Sequence, residues 1–278
     1  MKNIIYQYWQ GDMKPGVIES TRLIKEYANR IGAEYRFDHN ITIAGKTVNV
    51  PIYYEPANPL VDDSFDAYDN VALIDIDVFP VDGLNDNMFD LLDGEDAGIC
   101  TEPKQPRFRE IYNSGGITSP IDKKWVSVCE NEWKKIKYSL DSKNRPKVFN
   151  TGVVVISKAG LQKMKKEWPS FQEYVNVMRQ IGFPKFYSLF QDYFSAFIHM
   201  EGFKLKELPN EWNCYMHKVG SHPNATIGDN RPENAKPKLV HIMFRTADNW
   251  PAKSLWEITN LPISFWNLPV NKEWPNDG

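Results

Sequence analysis

Apolar residues along this chain follow two periods in turn, one suited to strands and one to helices. Asn3 to Trp9 (NIIYQYW) has the aromatic and β-branched character of a strand. From Val17 to Ile31 the apolar side chains Val17, Ile24, Ala28 and Ile31, flanked by Leu23 and Tyr27, recur at helical spacing; Pro15 leads in and Gly32 supplies the terminating residue. Ala33 to Phe37 reads as a second strand. A helix joining two strands this close in sequence makes a βαβ unit, and a helical crossover implies parallel pairing. Ile41 to Val50 is expected to form a hairpin around Gly45, and Pro56 to Tyr68 a short helix.

The densest apolar run is Val71 to Val81 (VALIDIDVFPV), whose start suits a central strand buried on both faces. Asn87 to Leu92 reads as a short helical patch, Ala97 to Cys100 as a strand and Pro103 to Ser119 as a loop. Lys123 to Lys137 is helical, with Trp125, Val128, Cys129, Trp133 and Ile136 on one face. Val148 to Ser157 (VFNTGVVVIS) is the second strong strand. Its Gly152 marks a bulge or a close approach of the backbone to something else, a ligand being one candidate. Ser157 caps a helix reaching Trp168, and another runs from Leu189 to Met200. The last strands are Phe203 to Leu208 and Lys238 to Phe244, separated by a Pro-, Asn- and Gly-rich loop from Pro209 to Pro237.

Composition narrows the partners. A net charge of -3 over 278 residues gives no global case for nucleic acid or for an anionic membrane. The N-terminal apolar run is too short for a signal sequence and no stretch is long enough to span a bilayer, so a soluble protein is expected. Three cysteines, widely spaced and without a Cys-x-x-Cys, argue against a disulfide framework and a zinc site and for reduced thiols in a cytoplasm. Aromatic residues make up 13% of the chain; most serve packing, and exposed ones have faces on which sugar rings stack.

Asp75 and Asp77 carry the strongest chemical signal. Two carboxylates at the end of a buried strand are costly unless paired, and ligands of open α/β sheets sit at the carboxyl ends of strands. A hard divalent cation, Mg²⁺ or Mn²⁺, satisfies both conditions and leaves positions for phosphate oxygens. An isolated Asp-x-Asp more often begins a surface loop; this is the only one in the chain, and it follows a central-strand pattern.

Further landmarks are FNTGVVVIS at 149–157, FQDYFS at 190–195, LPNEWN at 208–213, and His241 with Trp250 nine residues later. In order and spacing they resemble nucleotide-sugar glycosyltransferases of the GT-A fold, most closely the retaining glycogenin-like and bacterial galactosyltransferase-like group (family 8). The first strand also resembles mannosyltransferase-like families sharing that fold. The resemblance implies one GT-A-like α/β domain over residues 1–278, a Rossmann-type mixed, mostly parallel sheet flanked by helices. Residues 1–100 would form the nucleotide-binding half and 101–278 the acceptor and sugar-binding half. It implies Asp75, Asp77 and His241 as ligands of Mn²⁺ or Mg²⁺. Asn150, Gln191 and Asp192 become catalytic candidates, and Tyr8, Trp9, Asp75, Asn150, Gly152 and Arg245 contacts to a nucleoside diphosphate sugar, UDP-sugar first among them. The acceptor would be a carbohydrate or another hydroxyl compound.

The chain departs from the pattern in two places: HIMFRTADNWP has Phe244 where the family has Gly and no Lys before Trp250, and Phe190 replaces the first acid before Gln191 and Asp192. Each residue also has a structural reading. His241, alone within an apolar strand, is by default a core histidine, and it is the resemblance that favours ligation; Asp192 also reads as a first-turn carboxylate stabilised by the helix dipole, and Asn150 as a turn residue. A sugar-1-phosphate nucleotidyltransferase is a rival, although GDMKPG makes a poor phosphate loop after the first strand; so is a non-catalytic carbohydrate-binding protein, which would have no use for the metal ligands.

Overall fold

The computed structural model describes residues 1–40, 55–101, 119–140, 147, 149–219, 226–229 and 236–242. Its strands are β1 (Asn3–Trp9), β2 (Glu34–His39), β3 (Asn70–Ile74), β4 (Val78–Pro80), β5 (Ala97–Thr101), β6 (Phe149–Ser157), β7 (Leu205–Glu207), β8 (Cys214–Val219), β9 (Thr226–Asp229) and β10 (Leu239–Ile242). The α-helices are α1 (Pro15–Arg30), α2 (Ser119–Glu132), α3 (Lys158–Glu167), α4 (Phe171–Gln180) and α5 (Phe190–Phe197).

The predicted βαβ unit is present: β1 and β2 pair in parallel through α1, and Gly32 leaves the helix at φ 71°. That left-handed turn is one an L side chain adopts only with strain. The main sheet has the order β2-β1-β3-β6-β5-β7. β6 pairs antiparallel with both β3 and β5, and the remaining pairings are parallel, which makes the sheet mixed and mostly parallel, as expected. Its two central strands are buried along nearly their whole length. Alternate residues face opposite ways: Ile5, Ala72, Ile74, Val153 and Val155 pack with Ile24, Tyr27 and Ala28 of α1. Ile4, Leu73, Val154 and Ile156 join the aromatic layer of Trp125, Phe171, Tyr174, Phe194 and Phe197 on the other side. Burying each Val, Leu, Ile or Phe side chain among them stabilises the fold by about 1.5–3 kcal/mol.

Several expectations are corrected. The strand carrying the aspartates stops at Ile74, and after a turn the chain enters β4 of a second sheet, ordered β4-β10-β8-β9. The expected loop from Pro209 to Pro237 contains a 3-10 turn, Asn210–Asn213, followed by β8 and β9. Instead of one short helix before β3 there are two 3-10 turns, Glu55–Leu60 and Asp63–Ala67; the Asp62 carboxylate accepts from the Ser64 N–H at the start of the second. Helix α4 was not foreseen, although its buried Phe171, Tyr174, Val175 and Met178 keep helical spacing and Ser170 caps it. The hairpin at Ile41 to Val50 lies outside the described residues. Among those described, no helix is long and apolar enough to cross a membrane.

Candidate metal centre

The aspartates lie where the chain crosses from the main sheet to the second. Asp75 N–H donates to the Gly152 carbonyl at 2.9 Å and Val78 N–H to the Asp75 carbonyl at 3.2 Å, closing the turn. Buried side chains brace it from below. Gln7 Nε2 donates to the Asp75 carbonyl and to Ser20 Oγ, both at 3.1 Å. The Ser20 hydroxyl donates to the Val78 carbonyl at 2.9 Å, and the Tyr35 hydroxyl to Gln7 Oε1 at 2.9 Å. On the other side β10 pairs antiparallel with β4, setting His241 opposite Val78, and Ile242 N–H donates to the Asp77 carbonyl at 2.9 Å.

These constraints bring one ligand atom each from Asp75, Asp77 and His241 within 4.8 Å of one another. His241 Nε2 stands 3.1 Å from Asp77 Oδ1; the imidazole is buried while 29% of the Asp77 side chain remains exposed, so the cluster opens toward solvent on its carboxylate side. Burial is the main cause that pushes the Asp75 carboxyl up to about 7, and the Asp77 charge adds to it; His241 pulls the other way. Two crowded carboxylates and one imidazole nitrogen are a donor set that fits Mn²⁺ or Mg²⁺, the nitrogen favouring the transition metal.

The expected sugar-site residues connect to this cluster through amides. Gly152 N–H donates to Asn150 Oδ1 at 2.9 Å, and Asn213 Nδ2 donates to the same oxygen at 2.8 Å and to the Asn150 carbonyl at 3.3 Å. Asn213 Oδ1 is 2.9 Å from His241 Nδ1, and Asn150 Nδ2 makes a longer 3.4 Å contact to Gln191 Oε1. Gly152 has a specific reason. The β5 to β6 register shifts at Ile99/Cys100, a bulge, and a Cβ built on Gly152 would collide with Nδ1 and Cε1 of His241. Both alternatives read from the sequence therefore hold, with a histidine ring as the close neighbour.

The other candidates are placed less directly. Asp192 is fully buried in the first turn of α5, and its charge acts on the Cys129 thiol and the Tyr138 hydroxyl. Tyr8 and Trp9 end β1, at the same edge of the sheet as Asp75; Tyr8 is buried, and the Trp9 indole donates to the Asp12 carbonyl at 2.9 Å. Arg245 lies outside the described residues. Missed altogether were Gln7 and Ser20, polar residues inside a strand and a helix, and Asn213, visible in sequence only as the end of LPNEWN. Their signal was polarity at positions whose periodicity demands burial.

No family model matches this chain, and no curated protein matches it. Solved structures do. A glycosyltransferase involved in the glycosylation of the major capsid of PBCV-1 is similar over 93% of this chain and 100% of its own, at TM-score 0.51 and 13% identity. Mouse xyloside xylosyltransferase 1 in its apo form is similar over 88% of this chain and 99% of its own, at TM-score 0.50 and 10% identity. The galactosyltransferase LgtC, crystallised with donor and acceptor sugar analogues, gives TM-score 0.47 at 15% identity over 95% of this chain and 99% of its own, too low a score to add to the case. The fold is thus that of the GT-A glycosyltransferases, in agreement with the motif order.

Proposed function

We propose that this chain, which has a GT-A glycosyltransferase fold, is a metal-dependent glycosyltransferase that moves a sugar from a nucleoside diphosphate donor to a hydroxyl acceptor. One observation carries the reading: Asp75 and Asp77 from one turn and His241 from a distant stretch of chain converge at the carboxyl end of the central strand β3, the end of the strands where ligands of open α/β sheets bind. A divalent cation held by these three residues would act as a Lewis acid on the leaving diphosphate.

The protein's own groups supply the rest of the reading. Asn150 and Gln191, in contact with each other, orient the sugar, and Gly152 holds the strand close to His241. Asp192 supplies the carboxylate that stabilises positive charge developing at the sugar carbon. Tyr8 and Trp9 border the nucleotide, and Arg245 is assigned to the diphosphate. We assign retention of configuration, the acceptor attacking on the face the phosphate leaves and passing its proton to that phosphate. UDP-sugars are the first donors to test, with a carbohydrate as acceptor. The three free cysteines are all buried, consistent with a cytoplasmic protein.

The test is nucleotide release from a panel of UDP- and GDP-sugars, with and without Mn²⁺, by wild type and Asp77→Asn. Release that requires Mn²⁺ and disappears in the variant is expected. Metal-independent release, or full activity in the folded variant, would overturn the assignment.

A further inference from the structure

We propose that Tyr35 and Gln7 are positioning residues for the candidate metal centre, joined in a one-way hydrogen-bond relay that sets the backbone of the turn presenting Asp75 and Asp77. The inference rests on the metal reading above and goes beyond it, because neither side chain makes a hydrogen bond to a proposed ligand atom.

Hydrogen-bond polarity leaves one arrangement. Backbone carbonyls only accept, so the atom of Gln7 that meets the Asp75 carbonyl at 3.1 Å is its NH₂ group. The Val78 carbonyl likewise takes the single hydrogen of the Ser20 hydroxyl, at 2.9 Å. Ser20 Oγ is therefore an acceptor toward Gln7 Nε2, at 3.1 Å. Both amide hydrogens are then committed, and Gln7 Oε1 accepts from the Tyr35 hydroxyl at 2.9 Å. A flipped carboxamide would set an oxygen against the Asp75 carbonyl and against a serine hydroxyl whose hydrogen is already given away.

The relay ends on the two carbonyls that bracket Ile76 and Asp77. The Asp75 carbonyl also accepts from Val78 N–H at 3.2 Å, which fills both its lone pairs. Gln7 and Ser20 are 1% and 0% exposed, where an amide or hydroxyl without a partner is costly, so the turn is held to the geometry that satisfies them. A group that accepts a hydrogen bond donates its own more strongly. Tyr35, on the edge strand β2, thereby tightens the grip of Gln7 on the turn. Metal–ligand distances are fixed to within about 0.2 Å, so even a slightly relaxed turn misplaces its carboxylates.

The experiment compares Tyr35→Phe, Gln7→Met and the double variant, which delete the hydroxyl and the amide but keep the ring and the chain length. In metal-free protein the NMR shift of the Val78 amide hydrogen reports its bond to the Asp75 carbonyl. Calorimetric titration with Mn²⁺ alone gives affinity. Tyr35→Phe is expected to displace the Val78 signal and to weaken Mn²⁺ binding by about two- to tenfold, and Gln7→Met to weaken it by about 10–100-fold. In the Gln7→Met background Tyr35→Phe is expected to change neither readout, since non-additivity marks groups acting in one network. Residues with only a packing role would lower Tm and leave the folded-state shift and the affinity unchanged. An unchanged Val78 signal in Tyr35→Phe overturns the proposal even if Gln7→Met fails to fold. So do full Mn²⁺ affinity in Gln7→Met and additive effects in the double variant. Absence of Mn²⁺ binding by wild type would count against the metal reading, while the metal-free shifts would still decide the relay.

Discussion

Replacing Gly152 with alanine adds one methyl group at the tightest point of the site. The residue lies on β6 between β3 and β5, and its backbone is outside the left-handed region, so the effect is steric alone. The new Cβ would overlap Nδ1 and Cε1 of His241 and come within 2.9 Å of Asn150 Oδ1. To restore ordinary contact the ring must retreat by roughly 1 Å, against a tolerance of about 0.2 Å in metal–ligand distance. Overpacking of this kind costs about 1–3 kcal/mol, equivalent to a Tm lower by about 2–12 °C for a chain of this size. Mn²⁺ affinity should fall by at least about tenfold. Calorimetric melting and Mn²⁺ titration measure both. The decisive comparison is Gly152→Ala in a His241→Ala background, where the overlapping ring atoms are gone. There the stability cost should shrink by about 1 kcal/mol or more, a coupling expected only between groups in contact. An equal cost in both backgrounds, or an unchanged Mn²⁺ affinity in the single variant, would refute the close approach as the reason for glycine.

Three further outcomes follow from the same geometry. Asp77→Asn should remove Mn²⁺ binding and leave the metal-free Tm equal or higher, because it deletes a charge that holds the Asp75 carboxyl up; a strongly lowered Tm would contradict this. The folded-state pKa of Asp75, about 7, lies above its ordinary 3.8, so its contribution to metal-free stability is complete below about pH 4 and is lost as pH rises through about 7. Melting with and without Mn²⁺ should therefore show a larger stabilisation by the ion at about pH 8 than at about pH 5.5, and equal shifts would contradict the titration. Gln7→Leu should cost about 1–3 kcal/mol, since it strips partners from Ser20, Tyr35 and the Asp75 carbonyl; urea unfolding that shows no loss would mean the brace is dispensable.

The sequence alone determined what depends on periodicity and local chemistry. The βαβ start, the two central strands and the Ser157 cap were legible because the covering layers force near-continuous burial on β3 and β6, and because a capping hydroxyl acts within three residues. Asp75, Asp77 and His241 were legible as ligand types, and Gly152 as a position where something comes close. Tertiary structure alone decided what that something is. His241 reaches Gly152 only because β10 pairs with β4, across more than 150 residues of chain, and no local pattern encodes that pairing. The strand at Lys238 to Phe244 was read and is β10, but the second sheet was not: β4 is three residues long and continues the apolar run of β3, and Pro, Asn and Gly surround β8 and β9. Asn213 shows the limit most clearly. In sequence it is the last residue of a turn; only the fold places it between a strand carboxamide and a histidine ring.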